Sequence, residues 1–351
     1  MDRQPPARPS LDRLKMMGTA PRTFSGTDLV TTRALDGLGR LPLVVEPQVP
    51  EIDTAAWLAG NKEWLHARLL EHGGLLFRNF RIHSATEFDR FAHAACDTLI
   101  EYGERSSPRT AIQGRIYSST EHPASEEIAL HCEQSYTLEW PMRILFCCLE
   151  PPARGGRTPI ADIRAVTAAI RPEVLAEFGR RGVLYVRNYG GGMGLSWQDA
   201  FQTSEPAAVE QYCRRMAIEF EWLDEARLRT RQMRPALRQH PATGDTLWFN
   251  HAMFFHISSL GAALRNSILA SVAESELPQN TYYGDGGAIE PEVLDELRDA
   301  YARATIRFTW ERGDVLLLDN MLVAHGREPF EGPRKIAAAL GDPRRAPHAA
   351  L

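Results

Sequence analysis

The chain has 351 residues, 44% of them hydrophobic and 24% charged; these proportions fit a globular protein and exclude wholesale disorder, collagen and coiled coil. The length is enough for one large core or two modest ones. Lysines and arginines number 40 against 45 aspartates and glutamates, a net charge of −5, so a broad nucleic-acid-binding surface is not expected.

Residues 1 to about 42 carry Pro5, Pro6, Pro9 and Pro21 with little apolar periodicity and read as a loosely ordered lead-in. The compact chain is expected from Leu43-Val44-Val45 to about residue 342 as a single domain, with 343–351 as a tail. Residues 54–72 suit a helix with Trp57, Leu58, Trp64, Leu65, Leu69 and Leu70 turned inward, stopped by Gly73-Gly74. Residues 75–80 read as a strand. The capping-box spacing of Ser84 and Glu87 predicts a helix over 85–99. Strands are expected at 127–132, 143–149, 183–188, 217–222 and 246–250, and helices at 161–180, 206–215, 262–275 and 291–303, the last with Pro291 in its first turn. The chain closes with strand patterns at 305–311, 315–318 and 335–340, divided by Gly313-Asp314 and Gly332-Pro333. Strands at both ends with helices between them predict a mainly β (α+β) sandwich or barrel decorated with helical insertions. There is no internal repeat and no strand–helix alternation with a glycine fingerprint, which disfavours a dinucleotide-binding fold. The glycine run at 190–194 lacks the Lys-Ser/Thr ending of a phosphate loop and reads as a turn or lid.

No apolar run approaches the ~18–20 residues of a membrane helix. The opening MDRQPPARPSLDRLKMMG has charges and prolines where a secretory signal has an apolar stretch. The five cysteines, Cys96, Cys132, Cys147, Cys148 and Cys213, are odd in number and form no C-x-x-C. Neither a disulfide framework nor a cysteine zinc site is expected, and a cytoplasmic setting fits.

Four segments carry chemistry. In Leu130-His131-Cys132-Glu133, a strand would turn His131 and Glu133 to one side and Cys132 to the other, offering an imidazole and a carboxylate to one point. In the run from Gly313 to Arg327, an apolar strand passes through Asp319-Asn320 to His325. That histidine would complete two histidines and one carboxylate, which leave three positions open on an octahedral Fe(II). Nine residues further on, Arg334 is placed to grip the carboxylate of a metal-bound ligand with its planar fork, with Lys335 beside it. Thr158, 27 residues after His131, offers a hydroxyl to the same carboxylate. Taken singly, each segment has an ordinary structural explanation. Taken together, they match the arrangement of the ferrous 2-oxoglutarate oxygenases.

The blocks LHCEQSYTLEWPMRILFCCLEPPARGGRTPIAD and ERGDVLLLDNMLVAHGREPFEGPRKI, with WFNHAMFFHISSL, LPQNTYYGDG and LLFRNF, resemble the taurine dioxygenase/TfdA superfamily over residues 43–342. Within it they are most similar to the clavaminate-synthase-like branch and its SyrP-like hydroxylases. The resemblance implies a double-stranded β-helix (jelly-roll) core, iron held by His131, Glu133 and His325, and 2-oxoglutarate held by Arg334 with Thr158. It also implies consumption of O2 and hydroxylation of an unactivated C–H in an amino-acid-derived substrate, in specialised-metabolite (antibiotic) biosynthesis. Desaturation and cyclisation are further outcomes of the same chemistry. Many members have aspartate where Glu133 stands, and related halogenases have alanine or glycine there, so halogenation is disfavoured. Ala338 stands where taurine dioxygenase has a second, substrate-binding arginine. An acidic group on the substrate would therefore need another partner or be absent, as in an aminoacyl thioester on a carrier protein. Tyr117, Ser118, Asn250 and His251 are candidate substrate contacts, and His256 reads as structural. The alternatives are a non-catalytic jelly-roll binding protein with a vestigial metal site, and a zinc hydrolase, against which stand the lack of H-E-x-x-H and of an evident base. Substrate identity, its free or carrier-bound state, and the oligomeric state stay open at this level.

Overall fold

The computed structural model describes residues 29–35, 39–50, 52–101, 104, 111–119, 122–192 and 194–346. Nine strands organise the core: β1 (Val30–Ala34), β2 (Leu43–Pro47), β3 (Gly74–Phe77), β4 (Ile128–His131), β5 (Glu139–Glu150), β6 (Ile160–Asp162), β7 (Val315–Asp319), β8 (Val323–Arg327) and β9 (Lys335–Arg345). The larger sheet runs β1-β2-β3-β7-β5-β9 and continues through Ile116–Ser118 to Ala111–Gln113. The smaller one runs Thr305–Ile306, β6, β8, β4.

β7 reads Val-Leu-Leu-Leu-Asp and is buried throughout, as expected of a strand covered on both faces. Successive side chains point to opposite sides. Val315 and Leu317 join a core with Leu75, Phe77 and Cys147 under Leu58, Leu65 and Phe88 of the N-terminal helices. Leu316 and Leu318 face the other way, into a core with Phe146, Ile336, Val323 and Ala324. That second core fills the space between the two sheets. The sequence at the ends of the chain thus builds a two-sheet jelly-roll, and the long middle is inserted into it. The insertion holds a further sheet, ordered Glu219–Trp222, Leu228–Arg234, Val183–Tyr189, Gln279–Tyr283, and the short helix Ala252–Phe255.

Local physics explains where elements stop. The Ser84–Glu87 capping box forms in both directions, and its helix spans Ala85–Ala95. The helix expected over 54–72 is two, Thr54–Gly60 and Lys62–His72, because Gly60 and Asn61 lower helix propensity at the join and the Asn61 side chain caps Trp57 O at 2.7 Å. The helix expected over 161–180 is broken into Ile163–Ala169 and Pro172–Arg181, since a residue before proline is driven out of the α region.

The strand β1 pairs antiparallel with β2 along its whole length, so the lead-in expected over 1–42 contributes a sheet edge; its first 28 residues lie outside the described residues. The tail expected from 343 likewise continues β9 to Arg345, and 347–351 lie outside the described residues. The glycine run begins with a close crossing: a Cβ on Gly190, at φ 82°, would stand 2.1 Å from Ala226 O. Among the described residues no helix is long and apolar enough to cross a membrane.

Candidate active site

The antiparallel pair β4–β8 sets His131 directly opposite His325, and cross-strand partners are the closest neighbours a sheet offers. Their ring centroids lie 4.6 Å apart. Glu133 follows two residues after β4, and the ligand atoms of His131, Glu133 and His325 all lie within 4.8 Å of one another. The pairing shifts register between His325 and Arg327. Gly326 permits it, because a Cβ there would meet Ile128 O at 2.6 Å.

The structure brings the three residues together by a route other than the expected one. Glu133 is not on the strand with His131; β4 ends at His131 and Glu133 lies in the following turn. Its backbone N–H donates to Asn320 Oδ1 at 2.7 Å and its carbonyl accepts from Asn320 Nδ2 at 2.8 Å.

The donor chemistry fits ferrous iron. Two imidazoles and one carboxylate form the facial set that leaves open positions on Fe(II). His131 Nδ1 lies 2.9 Å from Ala129 O. A carbonyl only accepts, so Nδ1 carries the proton and the neutral ring keeps its lone pair on Nε2 for a metal. Phe254 stacks on the His131 ring at 4.4 Å and 26°, and Phe146 packs on His325 at 4.9 Å.

Arg334 and Thr158 stand at the same cavity. Arg334 Nε donates to Gly156 O at 3.0 Å and Nη2 to Thr158 Oγ1 at 3.4 Å, while Trp310 Nε1 donates to that hydroxyl at 3.0 Å. Among the described residues no carboxylate pairs with Arg334. Burial pulls its guanidinium down to about 10, with the positive charge of Arg327 adding to the effect; at neutral pH it is still a cation. Lys335, its neighbour, is exposed. Gly156, at φ 63°, makes room for this arginine: a Cβ there would lie 3.1 Å from Arg334 Cδ and 2.7 Å from Pro152 Cγ.

The cavity holds about 840 Å3, within the range of small-molecule sites. Phe146, Phe254, Phe255 and Ile336 supply its apolar wall, and Leu260 and Leu264 also line it. None of the four expected substrate contacts lines it. Tyr117 is a core residue whose strand pairs with β9, and its neighbour Ser118 pairs with Ala337 in the same ladder, leaving Ser119 to reach the cavity. Asn250 is spent on the backbone, donating to Ala236 O and accepting from Ala252 N, both at 2.8 Å. His251 sits behind the wall, 2.6 Å from Ser135 Oγ and 5.7 Å from His131 between centroids; complete burial lowers its pKa, the neighbouring His131 and Arg187 adding to this, so it stays neutral. His256 pairs with Ser258 Oγ at 2.7 Å, in keeping with a structural part.

Sequence reasoning missed Phe254, three residues beyond His251 in the WFNHAMFFH block, and Arg327, which ends the His-Gly-Arg run. Arg327 Nη1 donates to His122 O at 2.8 Å, and Nη2 to Pro123 O at 2.5 Å and Glu126 O at 2.8 Å.

Comparison with known proteins places the chain in a family. The model of the taurine catabolism dioxygenase TauD, TfdA family matches residues 38–340. The chain belongs to the TauD/TfdA family. Members are Fe(II)- and 2-oxoglutarate-dependent dioxygenases that consume O2, and the chain is an enzyme of that class. The dapdiamide synthesis protein DdaC of Enterobacter agglomerans is 43% identical over 275 residues, covering 78% of this chain and 84% of the relative. A clavaminate synthase-like protein of Arabidopsis thaliana is 28% identical over 294 residues, covering 80% and 84%. Among solved structures, PvcB of Pseudomonas aeruginosa superposes with a TM-score of 0.53 at 18% identity over 91% of this chain and 93% of its own. That likeness shows the shared TauD-like jelly-roll.

Proposed function

We propose that this TauD/TfdA family member hydroxylates an amino-acid-derived substrate whose carboxyl group is masked as an amide, ester or thioester. In this reading His131, Glu133 and His325 hold Fe(II), and Arg334 with Thr158 holds the distal carboxylate of 2-oxoglutarate. The convergence of three donor groups within 4.8 Å carries the proposal. When bound, iron and 2-oxoglutarate supply the oxidising chemistry, coupling decarboxylation of the cosubstrate to oxidation of a substrate C–H. The protein's part is to bind, orient and exclude water. Arg334 meets an anion with a fork that is already desolvated, and Thr158 adds a hydroxyl. Phe146, Phe254 and Ile336 surround the donor set with apolar wall.

The masked carboxyl follows from the cations at hand. Among the described residues the cavity is lined by Arg327, Arg334 and His122 as candidate cations. Arg334 is assigned to the cosubstrate, Arg327 is occupied by three backbone carbonyls, and His122 Nε2 lies 3.0 Å from Glu126. Ala338 is fully buried between Tyr117 and Phe146 in the sheet and provides no charge. Among the described residues a free substrate carboxylate would have only Arg327 to turn to, whose Nη groups are already held by three carbonyls and whose Nε is buried, so pairing would be poor and desolvation would cost several kcal/mol. The relative named for dapdiamide synthesis supports a place in specialised metabolism, and a carrier-protein thioester is one way to present such a substrate. The test is succinate release from 2-oxoglutarate with matched amino acids, amino-acid amides and pantetheine thioesters. Turnover is expected with the masked forms; turnover with the free acid alone would contradict the reading.

A further inference from the structure

The pair Asp319-Asn320 interrupts an apolar run, and both residues are buried, at 4% and 0% exposure. Buried polar groups need protein partners. Asn320 uses its whole amide. Oδ1 accepts from Glu133 N at 2.7 Å, and Nδ2 donates to Glu133 O and Pro141 O, both at 2.8 Å. Its own N–H donates to Met142 O at 2.9 Å. Both backbone polar groups of Glu133 are therefore held by a side chain 187 positions away. Glu133 lies beyond the end of its strand and is followed by Gln134 at φ 53°, so no ladder bond from β8 fixes its direction.

Asp319 in turn fixes Asn320. Its Oδ1 accepts from Met321 N at 2.9 Å and Leu322 N at 3.1 Å, which shapes the turn from β7 into β8. Its Oδ2 lies 3.1 Å from His240 Nε2. Ala242 and Thr243 donate to His240 Nδ1 at 3.3 and 3.1 Å, so the proton of that buried ring sits on Nε2 and points at Asp319. One turn thus leads into the strand of His325 and, through Asn320, grips the backbone of Glu133.

We infer that Asn320 is a positioning residue for the carboxylate of Glu133, acting on the donor set through the backbone of its third member; this rests on Glu133 being an iron ligand. Outer partners of ligand groups typically change metal affinity ten- to a hundredfold when removed. The experiment is anaerobic Fe(II) titration of the full chain, with the visible charge-transfer band after adding 2-oxoglutarate as a second readout. It compares wild type, Asn320→Ala, Asn320→Asp and Leu317→Ala. Leu317 is buried on the same strand as Asp319 but faces the helix-side core, so its variant is destabilised without touching the turn. Both Asn320 variants are expected to bind Fe(II) about ten- to a hundredfold more weakly with a displaced band, and Leu317→Ala to stay within about threefold of wild type. Asn320→Asp keeps the volume and the acceptor but sets a carboxylate against two carbonyls, and it carries the test if Asn320→Ala does not fold. Asn320 variants that bind Fe(II) like wild type, or an equal loss in Leu317→Ala, overturn the inference. A wild-type chain that binds no Fe(II) overturns the functional proposal as well.

Discussion

Arg334 meets a carbonyl, a hydroxyl and the Phe330 ring but no acid among the described residues, so in its proposed role its removal should be read mainly in the cosubstrate. Losing one partner of a desolvated, hydrogen-bonded charge pair costs about 2–5 kcal/mol, which corresponds to a rise of roughly thirtyfold or more in the KM for 2-oxoglutarate for Arg334→Ala. Arg334→Lys keeps the charge but loses the fork, and an intermediate rise is expected. Steady-state succinate formation against 2-oxoglutarate concentration checks this; an unchanged KM in Arg334→Ala would remove the residue from the cosubstrate site. The side chains of this region were legible in sequence because their types are chemically uncommon together: two histidines, a carboxylate, an arginine and a threonine. The position of the four expected substrate contacts relative to the cavity was not. Tyr117 and Asn250 sit in similar-looking blocks, but whether a polar residue faces a cavity or satisfies a neighbouring carbonyl, as Asn250 does with Ala236 O, depends on pairing between distant segments.

At the scale of elements, β7 ties the two halves of the chain through a buried ion pair. Arg78, just beyond β3, donates to Asp314, just before β7, through Nε at 3.0 Å and Nη2 at 2.7 Å. The carboxylate side chain is 1% exposed and the arginine 11%. Deleting Asp314 leaves Arg78 only the exposed Glu311, 2.7 Å from its Nη1, so Asp314→Ala should cost about 3 kcal/mol, the lower end of the range for breaking a buried pair. The exposed pair Lys62–Asp97 has side chains 49% and 77% accessible, and Lys62→Ala should cost under about 1 kcal/mol. Urea denaturation of both variants checks the contrast, and equal losses would contradict it. Element types were readable from periodicity, as the capping box at Ser84 shows. Strand ends were less so. His131 ends β4, and Glu133 reaches the donor set through Asn320 rather than through strand alternation. A His-x-Glu spacing does not distinguish the two geometries.

At the scale of the whole molecule, the site is a product of sheets facing each other. His131 and His325 come from the smaller sheet, Phe146 and Ile336 from the larger, and Phe254 from the middle insertion. Strands β3 and β7 announced themselves as apolar runs because both of their faces are covered. The inserted strands Leu228–Arg234 and Gln279–Tyr283 did not, since their alternating pattern is broken by buried Arg234 and Asn280, which only tertiary partners explain. Arg234 Nη2 donates to Met216 O and Gln232 Oε1 at 2.7 Å each.

The central claim is that His131, Glu133 and His325 together hold the iron on which 2-oxoglutarate is consumed. Anaerobic addition of Fe(II) and then 2-oxoglutarate to the wild-type chain and to Glu133→Ala, followed by admission of O2 and assay of succinate, tests it directly. Wild type should develop a visible charge-transfer band and then yield succinate. Glu133→Ala should keep the wild-type far-ultraviolet circular dichroism while losing succinate formation and losing or displacing the band. Wild-type succinate yield in a folded Glu133→Ala protein would contradict the account.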